Sequence, residues 1–156
     1  MTQANLYQNT ADEPKADPLR NLAKEGVSTQ GAKWRRMCER YVELAAHLEP
    51  DDEILIDSIF GQGLPVAFIA RMSGQSPGRI RRKVKKLVTR MESPMFQFVA
   101  GGLDLLPRDV RAVARRHHLW GHSLRQVADG LGLKLHEVRS KLIQVQVSKG
   151  LLSAVN

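Results

Sequence analysis

The chain has 156 residues, room for one ordinary domain or two very small ones. Its hydrophobic fraction of 42% allows a packed core, and a single cysteine, Cys38, excludes an internal disulfide. With 24 Lys and Arg against 16 Asp and Glu the net charge is +8, which points to a polyanionic partner, nucleic acid being the commonest.

The excess charge is unevenly placed. Residues 1–31 hold three basic residues, Lys15, Arg20 and Lys24, and four acidic ones, Asp12, Glu13, Asp17 and Glu25, so the whole excess falls on the rest. This segment is rich in Gln, Asn, Asp, Thr and Pro and reads as a disordered tail, with at most a helical turn near Leu19–Lys24. No apolar run reaches the roughly 18 residues of a membrane span. The N-terminus lacks the basic-then-apolar pattern of a secretion signal, so a cytoplasmic, nucleoid-associated protein is expected.

Residues 32–91 read as a helix followed by a three-helix unit. In Ala32–Leu48, the residues Trp34, Met37, Cys38, Tyr41, Leu44, Ala45 and Leu48 recur at three-four spacing on one face. Trp34 and Tyr41 are read as core aromatics rather than base-stacking ones. Further helices are expected at Asp51–Phe60, Pro65–Met72 and Pro77–Met91, with Gly74 in a turn, Ser76 capping the last helix and Pro77 in its first position. Residues 92–105 form a linker whose Met95, Phe96, Phe98 and Val99 suit either a short strand or a hydrophobic tie.

Residues 106–156 read as a second such unit. Its helices are expected at Pro107–His118, from Ser123, and over Leu135–Val145, with Gly132 in the turn and Leu133 as a buried plug. Ser123 and Gln126 have the spacing of a capping box. Gln144-Val145-Gln146-Val147 alternates like a strand, and Lys149-Gly150 could turn it back. The expected fold is therefore all-α: two tandem tri-helical units behind a helix and a tail, with a rudimentary β wing open at either apolar segment.

The two units repeat with an offset of 58 residues. Laid without gaps, Leu48–Leu87 and Leu106–Val145 share Leu48/Leu106, Asp51/Asp109, Gly63/Gly121, Ala70/Ala128, Gly74/Gly132, Arg81/Arg139 and Lys83/Lys141. Chance supplies about two or three identities over such a span. Apolar character is also kept at Leu55/Val113, Val66/Leu124, Ile69/Val127, Ile80/Val138, Val84/Leu142 and Leu87/Val145.

This pattern has a physical reading as a helix-turn-helix. A small residue in the second helix lets the third approach, a glycine takes the positive φ of the turn, and an aliphatic residue locks the crossing. Ala70, Gly74 and Ile80 fill these positions in the first unit, and Ala128, Gly132 and Val138 in the second. The second unit also resembles a family. Leu106-Pro107-Arg108-Asp109-Val110-Arg111-Ala112-Val113, Leu119 through Leu133, and Val138-Arg139-Ser140-Lys141-Leu142 look like the C-terminal DNA-binding domain of bacterial sigma factors, and equally like the related response-regulator output domains. The resemblance implies that the helix from Leu135 enters the major groove, with His136, Glu137, Arg139, Ser140 and Lys141 near DNA, and Lys134 just before it is a further candidate DNA-binding residue. No aromatic-rich basic segment of the kind that melts promoters is present, so a sigma-like regulator or accessory protein fits better than a complete sigma factor.

The first unit's third helix is the more cationic. It carries Arg79, Arg81, Arg82, Lys83, Lys85, Lys86 and Arg90 with no acid among them, and with Ser76 at its start these are the candidate DNA-binding residues. With Ile80, Val84, Leu87 and Met91 facing inward, Arg79, Arg82, Lys85 and Lys86 must face out. Glu49, Asp51, Asp52, Glu53 and Asp57 make the first helix of this unit acidic, a face expected to turn away from DNA.

Catalytic and metal chemistry find little support. His117, His118 and His122 are interrupted by Gly121 and have no Cys or acidic ligand at a supporting spacing. Cys38 lies on an apolar helical face and reads as core. No phosphate-binding loop is present. The expectation is a non-enzymatic, cofactor-free regulator that binds double-stranded DNA sequence-specifically, alone or as a homodimer. A protein-interaction adaptor that docks RNA polymerase or another regulator is the alternative, and a nonspecific nucleoid-type protein a third.

Overall fold

A computed structural model describes residues 29–154; the expected tail and the turn at Leu19–Lys24 lie outside them, apart from the last residues before Ala32. The fold is all-α. Among the described residues there are eight helices and no strand: α1 (Thr29–Ala45), α2 (Pro50–Ile56), α3 (Val66–Ser73), α4 (Pro77–Met91), α5 (Pro94–Gly102), α6 (Arg108–Ala114), α7 (Leu124–Leu131) and α8 (Leu135–Ala154). No helix is long and apolar enough to cross a membrane.

The backbone reproduces the sequence repeat residue by residue. α2, α3 and the start of α4 are followed 58 positions later by α6, α7 and the start of α8. α2 and α6 each widen into a π turn, over Asp57–Gly61 and Arg115–Leu119. The amide of Gln62 donates to Asp57 O at 2.8 Å, and that of Trp120 to Arg115 O at 3.0 Å. Leu64 donates to Ser58 O and His122 to Arg116 O, both at 2.9 Å. Gln75 and Leu133 close α3 and α7 by donating to Ala70 O and Ala128 O at 3.0 and 2.9 Å. Between the last two helices of each unit the turn glycine, Gly74 or Gly132, holds φ +65° or +64°, a region closed to most side chains.

Local signals explain the helix starts. Ser76 Oγ accepts from the Arg79 amide at 3.3 Å. Ser123 and Gln126 complete the capping box, each side chain accepting from the other's backbone N–H, at 3.3 and 2.8 Å. Glu137 reaches back to accept from the Lys134 amide at 2.7 Å, so α8 has a carboxylate where α4 has a serine. Pro107 takes the capping position itself and α6 begins at Arg108, one residue later than expected.

Both segments at which the sequence leaves a β wing open are helical. Met95, Phe96, Phe98 and Val99 lie in α5, where Ser93 Oγ caps the Phe96 amide at 3.2 Å and Pro94 pre-sets the first turn. Phe96 and Val99, three apart, are fully buried, so the segment is a tie but a helical one. Gln144–Val147 continues α8 instead of turning back. Val138, Leu142 and Val145 keep the three-four spacing that buries one helical face, and this overrides the local alternation. α8 therefore extends to Ala154 rather than stopping at Val145. α1 also runs three residues earlier at each end than its apolar stripe suggested, leaving Leu48 buried in the turn after it.

The core does not divide where the repeat divides. One cluster joins Tyr41, Ala45, Leu48 and the inward residues of α2–α4 to Phe96 and Val99 of α5, and continues through Leu106, Val110, Ala114, Leu119 and Val145. The second cluster is small: Val113, Val127, Ala128 and Val138, with Leu124, Leu131, Leu133 and Leu142 packed partly against it. Leu133 is thus a half-buried plug. Tyr41 also donates to Glu92 Oε1 at 2.5 Å, fastening α1 to the end of α4; burial and this bond push its hydroxyl pKa up.

Candidate nucleic-acid interface

α4 separates its residues by burial. Ile80, Val84, Leu87 and Met91 are at most 2% exposed, whereas Arg79, Arg81, Arg82, Lys85 and Lys86 are exposed. Successive residues of an α-helix turn by about 100°, so Arg82 stands opposite the core line, Arg81 and Lys85 to one side of it, and Arg79 and Lys86 to the other. None of these five side chains takes part in an ion pair among the described residues. The helix contains no acidic residue, so the face is uniformly positive.

Lys83 and Arg90 are placed differently. Lys83 Nζ lies 2.7 Å from Asp52 Oδ1, and Arg90 Nη2 lies 3.3 Å from Asp52 Oδ2. Asp52 is 8% exposed, the one buried acidic side chain among the described residues. The acidic helix α2 therefore does not simply turn outward. One of its carboxylates is drawn in to neutralise the flank of α4 that packs on it, and the two cations engaged there serve the fold rather than a free cationic face. Ser76 likewise spends its hydroxyl on the cap of α4.

α8 presents a thinner set. Lys134, His136, Arg139 and Ser140 are exposed. Glu137 is bound to its own helix start, and Lys141 is paired with Asp109 of α6, which holds that carboxyl below its ordinary pKa. The lysine at this repeat position, Lys83 or Lys141, thus clips the third helix of each unit to an aspartate of the first. Reading cationic runs alone overlooks Arg125, which is exposed in the first turn of α7; it stands singly in the sequence and so gives no local signal.

The joint between the units is polar and tight. Arg90 lies where a Cβ on Gly121 would sit, and Gly121 itself has φ +75°, so only glycine fits there. His122 Nε2 donates to Glu49 Oε1 at 2.9 Å, and His117 Nδ1 donates to His122 O at 2.9 Å. His118 Nε2 and His122 Nδ1 are buried without a partner. Burial, with His117 beside it, pulls the His118 pKa down to about 4. The histidines therefore belong to the joint, and among the described residues no three His, Cys, Asp or Glu side chains gather to hold a metal.

Beside α1 lies an open groove of about 510 Å³ lined by Trp34, Arg35, Cys38, Glu39, Val42, Glu43, Phe60 and Gly61. Burial and the neighbouring Glu39 raise the Cys38 thiol pKa, which suppresses the thiolate a nucleophile needs.

Compared with protein-family models, with curated proteins and with solved structures, the chain finds no match. The sigma-factor resemblance of the second unit thus rests on its own residues.

Proposed function

We propose that this protein is a non-enzymatic, double-stranded DNA-binding transcription regulator, with α3–α4 and α7–α8 acting as tandem helix-turn-helix units. The observation that carries this reading is the outward face of α4. Five cations, unpaired among the described residues, line one regular helix with no acid among them, over the buried Ile80, Val84, Leu87 and Met91 of the same helix. A solvated surface has no need of such a face, whereas a phosphate backbone does. Arginines on an exposed helix also have the fork geometry to read guanine edges in a major groove.

The test is binding to a genomic fragment pool at physiological salt. Preferred fragments, bound well above random duplex, are expected; equal affinity for both sinks sequence-specific regulation and leaves a nonspecific, nucleoid-type binder. Replacing Arg79, Arg82, Lys85 and Lys86 together by Ala should lower affinity by at least about 100-fold and flatten the dependence of log Kd on log salt by three to four, since each phosphate contact contributes a slope of roughly 0.9.

A second reading is favoured by the far half of α8, where Ile143, Val147 and Leu151 are 59%, 54% and 65% exposed at four-residue spacing. Such an apolar stripe suits a protein partner such as RNA polymerase, another regulator or a second copy of the chain. If regulation survives in the fourfold α4 variant after DNA binding is lost, the adaptor reading replaces the first.

A further inference from the structure

The repeat can be sorted by what each shared residue does in the fold. Leu48/Leu106 and Ala70/Ala128 are buried in the core. Gly63/Gly121 and Gly74/Gly132 hold positive φ. Lys83 and Lys141 clip the third helix to the first, Lys141 using Asp109, while Asp51 stands in the negatively charged first turn of α2. One identity is left without such a role. Arg81 and Arg139 are both exposed, both occupy the fifth position of their helix, and neither takes part in an ion pair among the described residues.

The neighbouring positions sharpen the contrast. The other four outward cations of α4, Arg79, Arg82, Lys85 and Lys86, correspond on α8 to Glu137, Ser140, Ile143 and Gln144. Every free cation of the face has been exchanged for a neutral or acidic residue except this arginine. The backbone hydrogen bonds of the turn before it recur in both units, and the aliphatic residue just before it, Ile80 or Val138, is buried in each, so the guanidinium leaves the same kind of scaffold at the same register. A residue that burial, backbone conformation and internal pairing do not require, and that stays while its neighbours change, marks a contact outside the chain.

Resting on the DNA-binding reading above, we propose that Arg81 and Arg139 are equivalent DNA contacts, one from each unit. Both units then engage DNA, α4 adding four further cations for affinity and α8 making its contact almost alone. This excludes a division of labour in which the second unit only docks protein.

The test compares the full chain with R81A, R139A and, as a charge control, R115A, which removes one exposed cation from the far end of the α6 helix. The probes are random-sequence duplex and the best-bound genomic fragment, each titrated over a salt series. R81A and R139A should each weaken binding about 5- to 30-fold and lower the salt slope by about one, with R115A changing it less than about 2-fold. Unchanged melting temperatures separate this from misfolding, and R139K should recover the salt slope. If the wild-type chain binds neither probe, the DNA reading itself falls. If it binds and R81A weakens it while R139A does not, or if R115A weakens it as much as R139A, the equivalence is overturned and the DNA reading stands.

Discussion

His118 ties the molecule's stability to pH. Its ring is held neutral by burial, with a pKa of about 4 in the folded chain against an ordinary 6.5. Between those values the unfolded chain binds the proton and the folded chain does not, so the stabilisation is complete above about pH 6.5 and is lost as pH falls toward 4. A pKa unit is worth about 1.4 kcal/mol, and partial solvent access reduces the loss between pH 7 and pH 5 to on the order of 1 kcal/mol. Urea unfolding at the two pH values measures it. His118→Gln should flatten this pH dependence, and an unchanged slope in that variant would place the sensitivity elsewhere.

Asp52 carries the complementary prediction. It neutralises Lys83 and Arg90 at the α2–α4 contact, and Arg90 is only 17% exposed at its side chain with its Nε already lacking a partner. Asp52→Ala strands that guanidinium, and a loss of about 1–3 kcal/mol is expected, below the cost for a fully buried pair because Lys83 is half in solvent. Lys83→Ala should likewise act on the melting temperature more than on DNA affinity. The sequence made this hard to see. Along the chain Lys83 and Arg90 belong to the same basic run as Arg82 and Lys86, and Asp52 to the same acidic run as Asp51 and Glu53. Only the packing of α2 on α4 separates the members that pair from those that remain free. Residues whose environment is local, such as Ser76, Ser123 and Gln126, were legible, because a cap depends on a few neighbouring positions.

At the scale of elements, the helices were legible wherever punctuation and periodicity agreed. Pro77–Met91 was readable to the residue, since Ser76 and Pro77 mark its start and the Ile80, Val84, Leu87, Met91 stripe marks its length. Where β-prone residues gave a local strand signal, by composition at Met95–Val99 and by alternation at Gln144–Val147, tertiary burial of a helical face decided for helix. The turn glycines make the element-level prediction. Nothing lies within 4 Å of a Cβ built on Gly74 or Gly132, so substitution there costs conformation alone. Gly132→Ala should therefore destabilise by about 1 kcal/mol through the positive φ. Ser123→Ala, which opens the capping box of the preceding helix, should cost a similar ~1 kcal/mol. The two act on opposite ends of α7, too far apart to share a partner, so their effects on the denaturation midpoint should add.

For the molecule as a whole, the repeat suggests two independent modules and the core argues for one. The second unit's private cluster has only four buried residues, Val113, Val127, Ala128 and Val138. Its Leu106, Val110, Ala114, Leu119 and Val145 are buried in the cluster shared with the first unit and with α5. Sequence periodicity reveals that these positions face inward, but not which inside they face, because that depends on how one unit docks on the other. The docking is also polar, through Glu49 with His122 and Arg90 over Gly121. A segment with so little apolar surface of its own cannot offset the conformational entropy of ordering three helices. Calorimetry of the full chain should accordingly give one cooperative transition, and residues 106–156 alone should be largely unfolded. Phe96→Ala removes a fully buried ring from the tie between the units and should lower stability by about 3–5 kcal/mol while keeping that transition single. Two resolved transitions would instead mean that the shared cluster contributes little. On the proposed DNA-binding reading, a single body fixes the separation between α4 and α8 through its core, so half-sites moved apart by inserted base pairs should lose affinity even though each retains its own sequence.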